Sequence, residues 1–272
     1  MDNPIKPEEV RIVIRHPSAI RDSDGEPVSA SVFKDMFNTV LAALKAADKD
    51  LRGKKKATEF LVSHLRVGSG EFGLIECQQH FTGPTPVEIF KRATQSVYRS
   101  EFAAADEHPN LKKKIAEIGK KIDGKYAITV QFWDGEEVPF DTFFSGQTRR
   151  LMETKGEVKS NPEYFAGSAY GAFDGRLGNI DYRGAAWIGH LVLHGSNIEI
   201  ECVFDKSKGE DAINKHGNKR VSVTGRAIYT GDSQLPERIE VVDIETVTAA
   251  AEFRDIRGSL TGKSYGGFDL GD

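Results

Sequence analysis

Four acidic residues crowd one short stretch, Asp134, Glu136, Glu137 and Asp141. Grouped carboxylates are what a divalent cation needs, and so what a metal-dependent nuclease would use. Asp134-Gly135 is also a hairpin-turn dipeptide, and no lysine stands near it in a recognisable arrangement, so the four are expected to be surface turn residues. His190 and His194 are four apart, which would suit a metal on a helix. On a strand the same spacing separates them by about 13 Å, too far for one ion. Cys77 and His80 fall on opposite faces of a strand for the same geometric reason. Cys77 and Cys202 are expected to be buried small hydrophobes. Gly68-Ser69-Gly70 precedes a strand pattern and reads as a tight hairpin, since a phosphate cradle needs a helix to follow. The sequence contains no Gly-x-Ser-x-Gly, P-loop or zinc-ligand motif. No catalytic residue, cofactor or metal is therefore expected, although catalytic groups assemble in space and an enzyme stays open.

The elements that would position such residues can be read from periodicity. Glu9–Arg15 (EVRIVIR) alternates as a half-buried strand. Phe33, Phe37, Val40, Leu41 and Leu44 form one apolar face of a helix, with Ser29 or Ser31 as its cap. Residues 57–67 and 71–79 read as two strands. Thr85-Pro86-Val87-Glu88 marks a helix start, with a capping box and proline at the first helical position. A further helix opens near Asn110, with Leu111, Ile115, Ile118 and Ile122 on its stripe and Gly124 as its stop. Lys112, Lys113, Lys114, Lys120 and Lys121 lie off that stripe, as a solvated face. Tyr126, Ile128, Val130 and Phe132 alternate as a strand. Residues 1–145 thus read as an α+β domain. Polar residues 146–166 are expected to be a linker.

After that linker the pattern changes to short strands, at Asp174–Tyr182, Trp187–Leu193, Ile198–Phe204, Arg220–Tyr229 and Arg238–Glu245. One helix, centred on Glu210–Lys215, falls between the third and fourth strands. This order resembles an OB-fold, a five-stranded Greek-key barrel, over residues about 168–246. IEIECVF, KRVSVTGRAIY and LPERIEVVDIE carry the resemblance. Gly225 stands where such a barrel would bend. The expected fold is therefore an α+β N-terminal domain followed by an all-β OB-fold-like barrel at 167–247 and a tail at 248–272, partly mobile. The whole chain also resembles bacterial proteins that pair an α+β front half with such a barrel. That resemblance implies a multi-component setting such as a toxin–antitoxin, mobile-element or phage-defence system.

Charge bounds the partners. The chain holds 37 Lys+Arg against 41 Asp+Glu. Over 166–246 there are 9 Lys+Arg and 12 Asp+Glu. Neither is the basic balance that binding through counterion release needs. OB-folds offer the outer face of strands two and three. Alternation puts Ile188, His190, Val192, His194, Glu199, Glu201 and Val203 there, a mixed apolar and acidic face that suits a protein partner. Phe253, Arg254, Ile256 and Arg257 in the tail form a second candidate docking strip. The leading expectation is a non-catalytic binding or adaptor protein. The alternative is a single-stranded DNA or RNA binder using Arg176, Tyr182, Arg183, Lys215, Lys219, Arg220, Arg226 and Tyr229. A metal-dependent nuclease is the second alternative. No apolar run is long enough for a membrane helix, and no secretory leader is legible at Met1. With two cysteines only, a reducing cytoplasm is the expected setting.

Overall fold

The computed structural model describes residues 4–16, 28–53, 58–66, 70–77, 83–153, 164–181, 186–193, 198–205 and 216–247. The first half contains β1 (Glu9–Arg15), α1 (Ala30–Arg52), β2 (Glu59–Arg66), β3 (Glu71–Cys77) and α2 (Pro86–Tyr98). A single turn α3 (Ala103–Asp106), α4 (Pro109–Lys121), β4 (Ala127–Gln131), β5 (Glu137–Phe140) and α5 (Thr142–Glu153) complete it. The strands form one antiparallel sheet in the order β2-β3-β1-β4-β5. Period-two alternation assigns its faces. Val10, Ile12 and Ile14 of β1 join Val40 and Leu44 of α1, Phe90 of α2, Ile115 of α4 and Phe144 of α5 in one core. The other face presents Val13, Thr129 and Pro139, which are neighbours across β1, β4 and β5.

Local chemistry starts and stops these helices. At α2 the capping box is complete: the Glu88 N–H donates to Thr85 Oγ1 (3.1 Å), and the Thr85 N–H donates to Glu88 Oε2 (2.9 Å). Ser29 precedes α1 but makes no side-chain cap, its hydroxyl lying 2.8 Å from that of Ser31. Helix α5 occupies 142–153, so the start of the polar stretch expected as a linker is helical. Its cap is Asp141, whose Oδ1 accepts from the Phe144 N–H at 2.9 Å.

The second half contains β6 (Ala166–Asp181), β7 (Trp187–Leu193), β8 (Glu199–Phe204), β9 (Arg220–Thr230) and β10 (Arg238–Thr246). It is a mixed five-stranded sheet in the order β10-β8-β7-β6-β9, and the β9–β10 ladder joins the two ends of that order. Its inner face packs Leu177, Leu191, Ile200, Cys202, Val223 and Ile239 together. The β8–β10 contact is parallel and covers only Arg238↔Glu201, Ile239↔Cys202 and Glu240↔Val203.

The OB-fold expectation is corrected here to this mixed sheet, which shares one face with the front half. The first strand begins at Ala166 and runs sixteen residues, against the short strand expected from Asp174. The helix expected around Glu210–Lys215 lies outside the described residues. The outer face that an OB module presents to a ligand is also partly covered. Glu201 and Val203 of β8 turn towards the chain's own first half, because the Arg238 guanidinium beside them is bonded there.

A candidate ligand cleft between the two halves

Arg238 is the join between the halves. It leaves β10 on the outward side and is 2% exposed. Its Nη1 donates to Asp141 Oδ2 (2.8 Å) and to the Tyr98 hydroxyl (3.1 Å), and its Nη2 donates to Glu201 Oε1 (2.8 Å). The guanidinium lies over the Phe143 ring, 4.2 Å from its centroid. Burial pushes the Tyr98 phenol above its ordinary range, so this hydroxyl stays neutral in the join. Around it, Arg99 reaches Glu240 (3.7 Å), Arg150 reaches Asp232 (2.7 Å), and the Ser168 hydroxyl donates to Glu101. Ile228 of β9 is packed into the first half's core.

Beside this join the two sheets leave a cleft of about 370 Å³. One wall is the second face of the front sheet, with Val13 and Arg15 of β1, Thr129 and Gln131 of β4, and Glu137 and Pro139 of β5. The opposite wall is Val203, Phe204 and Asp205 at the end of β8, and Glu240 and Val241 of β10. Two features give the cleft a chemistry. Thr129 is 2% exposed, and among the described residues its Oγ1 has no hydrogen-bond partner. A buried hydroxyl left unbonded costs roughly 1–3 kcal/mol. The lining also carries three carboxylates, Glu137, Asp205 and Glu240, against one guanidinium, Arg15. Burial holds the Glu240 carboxyl above its usual range, although Arg99 and Arg226 (3.5 Å) pull the other way.

The candidate residues read from the sequence scatter over this frame. Ile188, His190 and Val192 are half-buried on β7, and Glu199 is exposed beside His190 (Nδ1 to Oε2, 3.7 Å). Glu201 is committed to Arg238, and Val203 lines the cleft. His194, Tyr182, Arg183, Lys215 and the tail residues Phe253, Arg254, Ile256 and Arg257 lie outside the described residues, as does His80. Arg176 and Arg220 are direct partners in the β6–β9 ladder with Lys219 adjacent, so three cations gather at one end. Arg226 sits elsewhere, over the exposed Tyr170 ring and bonded to its hydroxyl (3.1 Å). Tyr229 packs on the inner core and against Phe165.

The acidic quartet does not act as one group. Asp134 pairs with Lys91, Glu136 with Gln95 and Arg99, Glu137 with Gln131, and Asp141 with Arg238. Among the described residues no three His, Cys, Asp or Glu side chains converge as a metal site would require. Cys202 is buried, which pushes its thiol up to about 12, whereas Cys77 is exposed and corrects the expectation of burial. Lys112 is another correction: it is 4% exposed and paired with Asp106, not part of a solvated lysine face. None of the described helices is long and apolar enough to cross a membrane.

Sequence reasoning missed the cleft because its walls come from five strands that are distant along the chain. Thr129 carried one usable signal, a polar residue between Ile128 and Val130 in a central strand. No family model, no curated protein and no solved structure matches the chain. The OB-fold label therefore carries no part of the functional reading.

Proposed function

We propose that this chain is a non-catalytic binding protein that takes a basic side chain of a protein partner into the cleft between its two sheets. The observation that carries the reading is the buried, unbonded hydroxyl of Thr129 in a cleft where carboxylates outnumber cations three to one. A lysine ammonium or arginine guanidinium is a pure donor, suited to Thr129 Oγ1 and the Glu240 carboxylate together. The aliphatic stem of such a side chain would lie along Val13, Pro139, Val203 and Val241. The volume lies in the range of ordinary ligand pockets. A cytoplasmic setting fits the free Cys202 thiol.

Calorimetric titration with short lysine- or arginine-bearing peptides tests this, with glutamate-bearing peptides as the control. Basic peptides are expected to bind, and Glu240→Gln to weaken them about tenfold, as loss of a charged hydrogen bond does. Thr129→Val is expected to weaken binding while leaving the fold as stable or slightly more so, because it removes an unsatisfied buried group. Equal affinity for acidic and basic peptides, or none for either, would overturn the reading.

A second reading, single-stranded nucleic acid, has one observation in its favour: the ladder sets Arg176 opposite Arg220 with Lys219 beside them. Fluorescence polarisation of labelled oligonucleotides at two salt concentrations separates the two. Affinity that falls steeply with salt, and falls again in Arg176→Ala with Arg220→Ala, would favour nucleic acid over the basic peptide.

A further inference from the structure

The geometry points to β2 as a self-pairing edge through which two copies of this chain join their front sheets into one. β2 is the outer strand of that sheet, and among the described residues its strand partner is β3 alone. Edge strands that stay single are usually guarded by lysine, proline, inward charge or a bulge. β2 carries a bulge but no lysine or proline, and it exposes Leu61 (45%), Val62 (53%) and Leu65 (59%).

The register follows from the bulge. Pairing with β3 shifts between Val62 and His64, so Ser63 is the extra residue. Val62 and Leu65 lie opposite Leu74 and Phe72, on the helix side of the sheet. Leu61, His64 and Arg66 lie opposite Ile75, Gly73 and Glu71, on the other side, and Ser63 turns there too, donating to Glu9 Oε1 at 2.9 Å. Directly opposite residues of an antiparallel pair share a face. The longest two-fold antiparallel register that keeps every pair on one face is centred between Ser63 and His64. It sets Val62 opposite the second copy's Leu65, Ser63 opposite His64, and Leu61 opposite Arg66. Four aliphatic side chains then meet on the helix side. On the other face Glu59 of each copy stands diagonally across from Arg66 of its mate, so the ends carry complementary charge. A second copy is therefore the occupant this edge fits, and a two-fold axis makes the contact self-complementary.

Sedimentation velocity of the full chain over a concentration series tests the pairing. A concentration-dependent dimer is expected, and Val62→Lys with Leu65→Lys should return it to monomer with an unchanged circular dichroism spectrum and the thermal midpoint of wild type diluted to monomer. A wild-type chain that stays monomeric up to its solubility limit would overturn the proposal and leave the edge to a different protein. So would a dimer that survives both lysines. The register has its own test in a Cys77→Ser background, where Leu61→Cys and Arg66→Cys chains are mixed under mild oxidation. The mixed disulfide should form while neither chain cross-links alone, and a dimer that fails to cross-link in the mixture would reject this register.

Discussion

Arg238 and Thr129 show opposite ways for a buried polar group to sit in this molecule. Arg238 has two carboxylates, a phenol and a ring around it, all but one of them from the first half. Removing one member of a buried ion pair leaves the other charge uncompensated and costs roughly 3–5 kcal/mol. Asp141 and Glu201 keep about a quarter of their side-chain surface in water, which favours the low end. Arg238→Ala is thus expected to lower stability by about 3 kcal/mol, read as a fall in the urea midpoint. Among the described residues the Thr129 Oγ1 has no hydrogen-bond partner, and the proposed ligand would supply one. Alternation along β8 predicts that Glu201 points outward, and it does. What alternation omits is that the outside of β8 turns towards the first half at Glu201 and Val203, while Glu199 stays in water. Glu199→Lys is consequently a surface change, whereas Glu201→Lys would place like charge against Arg238.

At the scale of elements, short-range chemistry was the most legible part. The capping box of α2 and the Asp134-Gly135 turn depend on neighbours three or four residues away, and both are present. Helix α5 is not legible because Asp141 reads from the sequence as one acid of a cluster, while its capping role depends on the backbone N–H of Phe144. The packing of α4 on α5 was not legible either. It requires Gly119, where an added Cβ would stand 1.9 Å from Thr148 Oγ1. That hydroxyl is held by its bond to the Ser145 carbonyl (2.8 Å), so it cannot swing clear at no cost. Gly119→Ala is expected to destabilise by about 1–3 kcal/mol through overpacking, measured as a lower Tm. Adding Thr148→Ala should recover part of that loss, because it removes the obstructing oxygen.

At the scale of the whole molecule, charged groups such as Arg238 and Glu240 stand where the two halves meet, and the meeting carries a pH dependence. Burial raises the folded-state pKa of Glu240 above the ordinary 4.5. In the window from 4.5 up to that raised value, the native chain keeps a proton that the unfolded chain has released. Stability contributed by Glu240 is therefore complete below the window and falls as pH rises through it. Wild-type stability should decline across this window relative to Glu240→Gln, whose curve lacks the step, when both are followed by denaturant titration at a series of pH values. A basic ligand at Glu240 favours the ionised carboxyl, so peptide affinity should rise with pH over the same window.

The amino-acid sequence by itself determined where most strands and helices lie and which sides of β7 and β8 face a core, whereas β1, expected half-buried, is buried on both faces. Those properties rest on periodicity, caps and turns, and each is written in residues a few positions apart. The α+β character of the first half followed from them. Only the tertiary structure decided that Asp141, Tyr98 and Glu201 converge on Arg238, and that Thr129 and Glu240 face one cleft. Ion pairs and clefts form between side chains a hundred residues apart, and their partners are chosen by how whole sheets pack.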